Sequence, residues 1–241
     1  MKLSCVISAF DHHDITAVHV REMMNATVMP DEIIVVNDGG TPDLLDKLKK
    51  LEKKTKIIYA RIKENIEWNY NGACNLGFYL STGDFVGFED NDNIPHKDFY
   101  QQALDLFKTV PEIGRITGEL RLHINTEDLK NPVEEWKITG TRGPNQGTCI
   151  MRRELFLKVK GYDERFCGRY GWMYYDWKHR LLVGAGTTFG SIGQFYYVVD
   201  GQSNLKRKLE KENYRHYRIN AVEKRYQPQN ILNFGYEFQV L

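Results

Sequence analysis

Two aspartates, Asp90 and Asp92, stand one residue apart where a Val- and Phe-rich run, Asp84-Phe-Val-Gly-Phe-Glu89, gives way to polar residues before Pro95. In extended chain, alternate side chains leave on the same side, so the two carboxylates would converge. Two such hard oxygen donors suit Mg²⁺ or Mn²⁺, with phosphate oxygens filling the remaining positions. A polar turn uses the same residue types, because Asp and Asn are favoured in turns. The surrounding elements therefore decide what the pair means. Carboxylates at the carboxyl end of a buried strand lie where open α/β sheets bind ligands.

The first ninety or so residues supply such a sheet. Leu3 to Phe10 (LSCVISAF) is a small-apolar run of the kind buried on both faces. Asp14 is placed to cap a helix carrying Ile15, Val18 and Met23 on its inner face. Glu32 to Asn37 is a second buried strand, and Asp38-Gly39-Gly40 turns off its end. Thr41 with Pro42 opens a helix whose stripe is Leu44, Leu45, Leu48 and Leu51. Lys56 to Ala60 is a third strand, Asn71 to Leu80 a helix, and the strand before Asp90 the fourth. Alternation of strand and helix argues for a parallel sheet with right-handed crossovers. Each strand then ends in small or polar residues: Ser8-Ala9, Asp38-Gly39 and Asp90-Asn91-Asp92.

Beyond Pro95 the pattern changes. His96 to Lys108 reads as an amphipathic helix, Arg115 to Ile124 as one strand, and Asn131 to Gly147 as a loop-rich connection or lid. Thr148 to Met151 and Phe195 to Val199 are strands, Glu154 to Val159 is a short helix, and an aromatic-dense run, Phe166 to Asp176, leads into a helix with His179 and Arg180. Leu205 to Tyr226 is a basic helix.

Composition excludes several classes. Thirty-three basic against thirty-two acidic residues give a charge of +1, so no global field draws the chain to nucleic acid. Four scattered cysteines without a CxxC pair read as buried thiols of a reducing compartment. No apolar run approaches the length of a membrane span and the start has no signal-peptide character, so a cytoplasmic protein is expected. Neither GxGxxG nor GxxxxGK[ST] is present, which leaves no classical dinucleotide site or P-loop.

The runs EIIVVNDGG, NGACNLG, STGDFVGFEDNDNIP and GTCIMRRELFLKVKGYDERF, in that order, resemble the inverting glycosyltransferases of family 2, which have the GT-A fold. The resemblance covers roughly residues 3 to 205. It implies one α/β domain over 1–241: a nucleotide-sugar-binding half (1–95), an acceptor half (96–204) and a basic C-terminal helix and tail (205–241). It also implies transfer of a sugar from a nucleoside diphosphate donor, a UDP-sugar in the favoured case, to an acceptor hydroxyl, with Mn²⁺ or Mg²⁺.

The same resemblance assigns residues. Ser8, Ala9 and Phe10 would lie against base and ribose, and Asp38 would hydrogen-bond the base. Gly72 and Asn75 of NGACNLG would face the nucleotide, although Cys74 stands where the family has an arginine. Asp90-Asn91-Asp92 matches the D-x-D motif, with Asp90 toward the ribose and metal, Asn91 beside the nucleotide and Asp92 on the metal. Asp200 stands where a histidine often completes the metal's ligands. Tyr170 and Trp172 would stack on the acceptor sugar.

The family's acidic base falls in a G-W-E-D-like run, and here Met173-Tyr174 occupies the Glu-Asp positions. Asp176 is the carboxylate left in that segment, with Asp163 and Glu164 next in line. Asp176 could equally pair with Arg180 four residues on. Two readings follow: a metal-dependent inverting transferase with Asp176 as base, or a non-catalytic module that binds nucleotide sugar or glycan. A nucleotidyltransferase would need a glycine-rich basic loop that Ser8 to Asp14 does not contain. The acceptor is a glycan, a protein or a modified nucleic acid. The basic helix would also suit contact with a membrane surface.

Overall fold

Strand β1 (Leu3–Ala9) shows how the sequence builds the core. Its odd positions Leu3, Cys5, Ile7 and Ala9 enter one buried cluster, while Val6 enters another on the opposite face. A strand apolar at both parities must be covered on both sides, which is what the following helices do. The structure, a computed structural model, describes residues 1–199, 211–225, 228 and 232–241.

In chain order the elements are β1, α1 (His13–Met23), β2 (Glu32–Asn37), α2 (Asp43–Lys49), β3 (Lys56–Ile62), α3 (Tyr70–Leu80), β4 (Phe85–Asp90) and β5 (Asn93–Pro95). There follow α4 (Phe99–Thr109), β6 (Ile113–Thr117), β7 (Leu120–Asn125), β8 (Gly140–Arg142), β9 (Cys149–Arg152) and α5 (Arg153–Lys158). The last are α6 (Met173–His179, continued as a wider π-turn over Arg180–Gly184), β10 (Thr188–Ser191), β11 (Gln194–Val199), α7 (Lys211–Val222) and β12 (Tyr236–Val240).

The main sheet has eight strands in the order β10-β6-β9-β4-β1-β2-β3-β12. The expected parallel core is present: β1 pairs parallel with β2 and with β4, and β2 pairs parallel with β3. β9 and β12 add antiparallel partners. Residues of α1, α2 and α4 pack on one face and residues of α3, α5 and α6 on the other. The approach of α3 to β1 is close. A Cβ on Gly77 would lie 2.1 Å from Val6 Cγ1, so the glycine of the N-x-G run serves packing.

Three sequence expectations change, and a fourth is described only in part. Arg115 to Ile124 is two strands: β6 belongs to the main sheet, β7 to a second sheet of order β5-β11-β7-β8. The break falls at Gly118, against the Phe195 ring, where the Glu119 and Leu120 amides turn to Gly193. The segment read as a lid contributes β8 to that second sheet. Asp14 does not cap α1. His12 holds the cap position at φ 59°, and Asp14 pairs with Lys47 at 2.7 Å. Of the basic helix, Lys211–Val222 is helical, and 200–210, with Asp200, lies outside the described residues. Among the described residues no helix is long and apolar enough to cross a membrane.

Candidate active site

The parallel register brings the strand ends together. Ser8 is level with Asp90 on β4 and with Val36 on β2, so the chain leaving β1 runs between Asp38 and the Asp90-Asn91-Asp92 turn. β2 and β4 lie on opposite sides of β1, which is the switch point where such sheets open a crevice. A cleft of about 1220 Å³ occupies it. Its walls include Ser8, Ala9, Phe10, Asp38, Asp90, Asn91, Asp92 and Tyr170, all expected at the site.

Asp38 is 6% exposed. Its backbone amide bonds Ala9 O at 2.7 Å, and its carboxyl accepts from Asn69 Nδ2 at 2.9 Å. Burial, opposed by that one hydrogen bond, pushes its pKa up to about 7. Gly39, at φ +78°, completes the turn, where a Cβ would lie 2.8 Å from Asn65 Cα and from Glu64 O. The result is a carboxyl fixed at one end of the cleft, with no cation paired to it among the described residues.

The D-x-D turn is held from beneath. Asp90 ends β4 and Asn93 begins β5, so Asp90 and Asp92 flank a reversal, which corrects the extended-chain expectation. Glu89 accepts from Tyr100 Oη at 2.8 Å and faces His19 Nε2 at 2.7 Å. The other ring nitrogen of His19 lies 3.1 Å from Asn91 O. A carbonyl can only accept, so Nδ1–H of His19 is the donor to Asn91 O. The Asn91 side chain donates to Asp11 O at 3.0 Å.

Both Asp90 oxygens are engaged by neutral donors, Asn145 Nδ2 at 2.5 Å and Tyr174 Oη at 3.3 Å. Burial raises the Asp90 pKa, and these two bonds oppose it. One Asp92 oxygen accepts from Asn93 Nδ2 at 2.5 Å. Among the described residues no three His, Cys, Asp or Glu side chains gather as a metal cage. Two carboxylates still fit a Mg²⁺-type ion, which commonly takes one or two from protein and the rest from phosphate and water. Asp92 is the carboxylate that would hold it.

Other assignments are corrected. Asn75 faces Tyr162 and Glu164, bonding Tyr162 O at 3.0 Å, Tyr162 N at 2.8 Å and Glu164 Oε1 at 2.8 Å. Gly72 packs toward Asn69 and Phe234, and neither it nor Asn75 lines the cleft. Trp172 is not on the cleft wall: it packs behind the cleft-lining Tyr175 at 5.1 Å and against Tyr214 and Tyr217, at centroid distances of 4.6 and 5.7 Å.

Asp176 is 2% exposed and is not on the cleft wall. Its oxygens accept from Arg180 Nε and from Asn220 Nδ2, each at 2.7 Å. On α6 the cleft is met instead by Met173, Tyr174, Tyr175 and Lys178. Residues 174 and 178 share a helix face, and 176 and 180 share another. Asp163 is no substitute. Although burial raises its pKa, the Arg165 guanidinium at 2.5 Å overcomes this and holds it below the usual range. Glu164 is bonded to Asn75 and to the Leu232 amide at 2.7 Å.

Sequence reasoning missed Asn69, Asn145, Arg121, Arg142, Lys178 and Tyr197 on the cleft wall. Only β7 carried a usable signal: in Arg121-Leu-His-Ile124, polar and apolar residues alternate as on a half-solvated strand.

The glycosyl transferase family 2 model matches residues 4–159. An uncharacterized glycosyltransferase of Nostoc sp. is 30% identical over 118 residues, 47% of this chain and 35% of that protein. A poly-beta-1,6-N-acetyl-D-glucosamine synthase of Staphylococcus aureus is 29% identical over 123 residues, 51% of this chain and 28% of the synthase. The chain thus matches about a third or less of the length of these relatives. Among solved structures, S. aureus TarS 1–349 in complex with UDP has a TM-score of 0.61 at 14% identity, covering 94% of this chain and 72% of that one. The mannosyltransferase PcManGT from Pyrobaculum calidifontis, in complex with GDP-Man and Mn²⁺, has a TM-score of 0.60 at 14% identity, covering 92% and 61%. At such identity the likeness shows the fold, which is GT-A. With the family model matching well over half its length, the chain belongs to glycosyl transferase family 2, a family of glycosyltransferase enzymes.

Proposed function

We propose that this chain transfers a sugar from a nucleoside diphosphate donor, a UDP-sugar in the favoured case, to an acceptor hydroxyl by single displacement with inversion. The observation that carries the reading is the convergence of Asp38 and the Asp90-Asn91-Asp92 turn on one cleft at the end of β1. The buried Asp38 carboxyl offers a hydrogen-bond partner to a base N–H, and Asp90 reaches the ribose. A divalent cation, when bound at Asp92 with the diphosphate, would neutralise charge on the leaving group. The nucleotide complexes of the two solved relatives support a nucleotide-sugar donor.

The acceptor hydroxyl attacks the anomeric carbon as the diphosphate departs, and its proton needs a base within hydrogen-bond reach. With Asp176 committed to Arg180, and Asp38, Asp90 and Asp92 on the donor side, that base comes from Asp11 or Glu67, the remaining carboxylates of the cleft. The same burial of Asp176, with Tyr174 bonded to Asp90, favours a second reading, a module that binds donor without transferring it. Incubation with UDP- and GDP-sugars and Mn²⁺, with release of free nucleoside diphosphate followed, separates the two. Turnover supports the transferase. Tight donor binding without release under any acceptor supports the binding module.

A further inference from the structure

In the second sheet β7 and β8 run antiparallel, with Arg121 opposite Arg142, and both line the cleft. Like charges directly opposite each other across a ladder are destabilising. Neither guanidinium has an acidic partner within salt-bridge distance among the described residues. Arg121 is nevertheless fixed: its Nε donates to Gly143 O at 2.9 Å, and its guanidinium carbon lies 5.3 Å from the Tyr197 ring centroid. That leaves both terminal NH₂ groups of a planar fork suited to carboxylate or phosphate. Burial first, then the Arg142 charge, lower the Arg121 pKa, and Tyr197, Asp92 and Asp90 only partly oppose them, so a further anion here would add to that compensation.

We propose that Arg121 and Arg142 form an anion subsite that selects acceptor glycans bearing a carboxylate or phosphate group. This rests on the transferase reading and names the acceptor class for the same cleft. Asp38 and the Asp90-Asn91-Asp92 turn account for the donor's base and metal ends; the turn leads into β5 at one edge of the second sheet, and the arginine pair stands on β7 and β8, beyond β11. Aromatic faces for a sugar are near at hand: Tyr170 and Tyr175 share the cleft wall. A nucleic acid fits less well. Arg121, Arg142 and Lys178 share the wall with Asp11, Asp38, Glu67, Asp90 and Asp92, and this lining matches one anionic group better than a polyanionic backbone.

The test is a binding panel of neutral oligosaccharides, uronate- and phosphate-bearing oligosaccharides, and a single-stranded DNA oligonucleotide, run on wild type and on Arg142→Gln. Arg142 is exposed, so the substitution does not endanger the fold. UDP with Mn²⁺ is titrated in parallel. Retention of acidic over neutral glycans by wild type, weakened about tenfold or more in Arg142→Gln while UDP affinity changes less than about twofold, is the expected result. Retention of acidic glycans by a chain that does not bind UDP would keep the subsite and remove the donor reading. Binding of neutral glycans alone, preference for the oligonucleotide, or equal loss of UDP affinity in Arg142→Gln would overturn the proposal.

Discussion

His19 Nε2 and Glu89 Oε2 meet at 2.7 Å with side chains 0% and 1% exposed, one strand residue before the Asp90-Asn91-Asp92 turn. Both side chains are polar in a position where a core would accept apolar ones, and His19 reaches on to the Asn91 carbonyl. The pair ties α1 to the turn that carries the site.

Removing one partner should be severe, since it leaves the other buried without its counterpart: His19→Ala is expected to lose about 3–5 kcal/mol in denaturant unfolding. Replacing both by leucine separates packing from positioning. Buried polar pairs exchanged for apolar groups of similar volume are often neutral for stability. The double variant, in which Tyr100 Oη and Asn91 O also lose these partners, should still fold with some loss of stability, yet bind UDP with Mn²⁺ at least about tenfold more weakly. Unchanged affinity in a stable double variant would make the pair a packing feature.

Asp38 predicts a pH dependence. Its carboxyl titrates near 3.8 when unfolded and near 7 when folded, so between those values the folded chain holds the extra proton. The stability this contributes is complete below pH about 4 and is lost as pH rises through 7. Asp38→Asn cannot lose a proton. Its stability relative to wild type should rise between pH 4 and pH 8, by on the order of 2–4 kcal/mol. Parallel stability curves for the two proteins would contradict the buried, unpaired state of Asp38.

Asp176→Ala removes the partner of Arg180, itself 1% exposed, and should cost about 3–5 kcal/mol of stability. Asp176→Asn keeps the side chain's size, and its effect on turnover should not exceed what its lost stability explains. A stable Asp176→Asn with donor binding intact and turnover down by about 10² or more would return Asp176 to the role of base.

The strand-helix alternation of the first ninety residues is legible because its signals are local. β1, β2 and β4 are short apolar runs, and Asp38 and Asp90 follow directly from where those runs stop. The Asp176–Arg180 pairing was also visible as an i,i+4 spacing, although the spacing does not say which helix face meets the cleft. What the sequence could not carry is the second sheet. β5 and β8 have three residues each, too short for periodicity to register; the partner of β5, β11, is distant in sequence, and β8 reaches β7 across a connection without strand signals. Arg121 and Arg142 come together only through that pairing. Asn75 stands off the cleft wall for a related reason: its hydrogen bonds run to residues 162 and 164, distant in sequence.

The central claim is that Asp38 and the Asp90-Asn91-Asp92 turn hold one nucleoside diphosphate with a divalent cation at Asp92. Calorimetric titration of UDP into wild type and Asp92→Ala, each with and without Mn²⁺, tests it most directly. Wild type should bind UDP more tightly with Mn²⁺, and Asp92→Ala should lose that increment while keeping the metal-free affinity. Equal Mn²⁺ enhancement in both proteins would contradict the account.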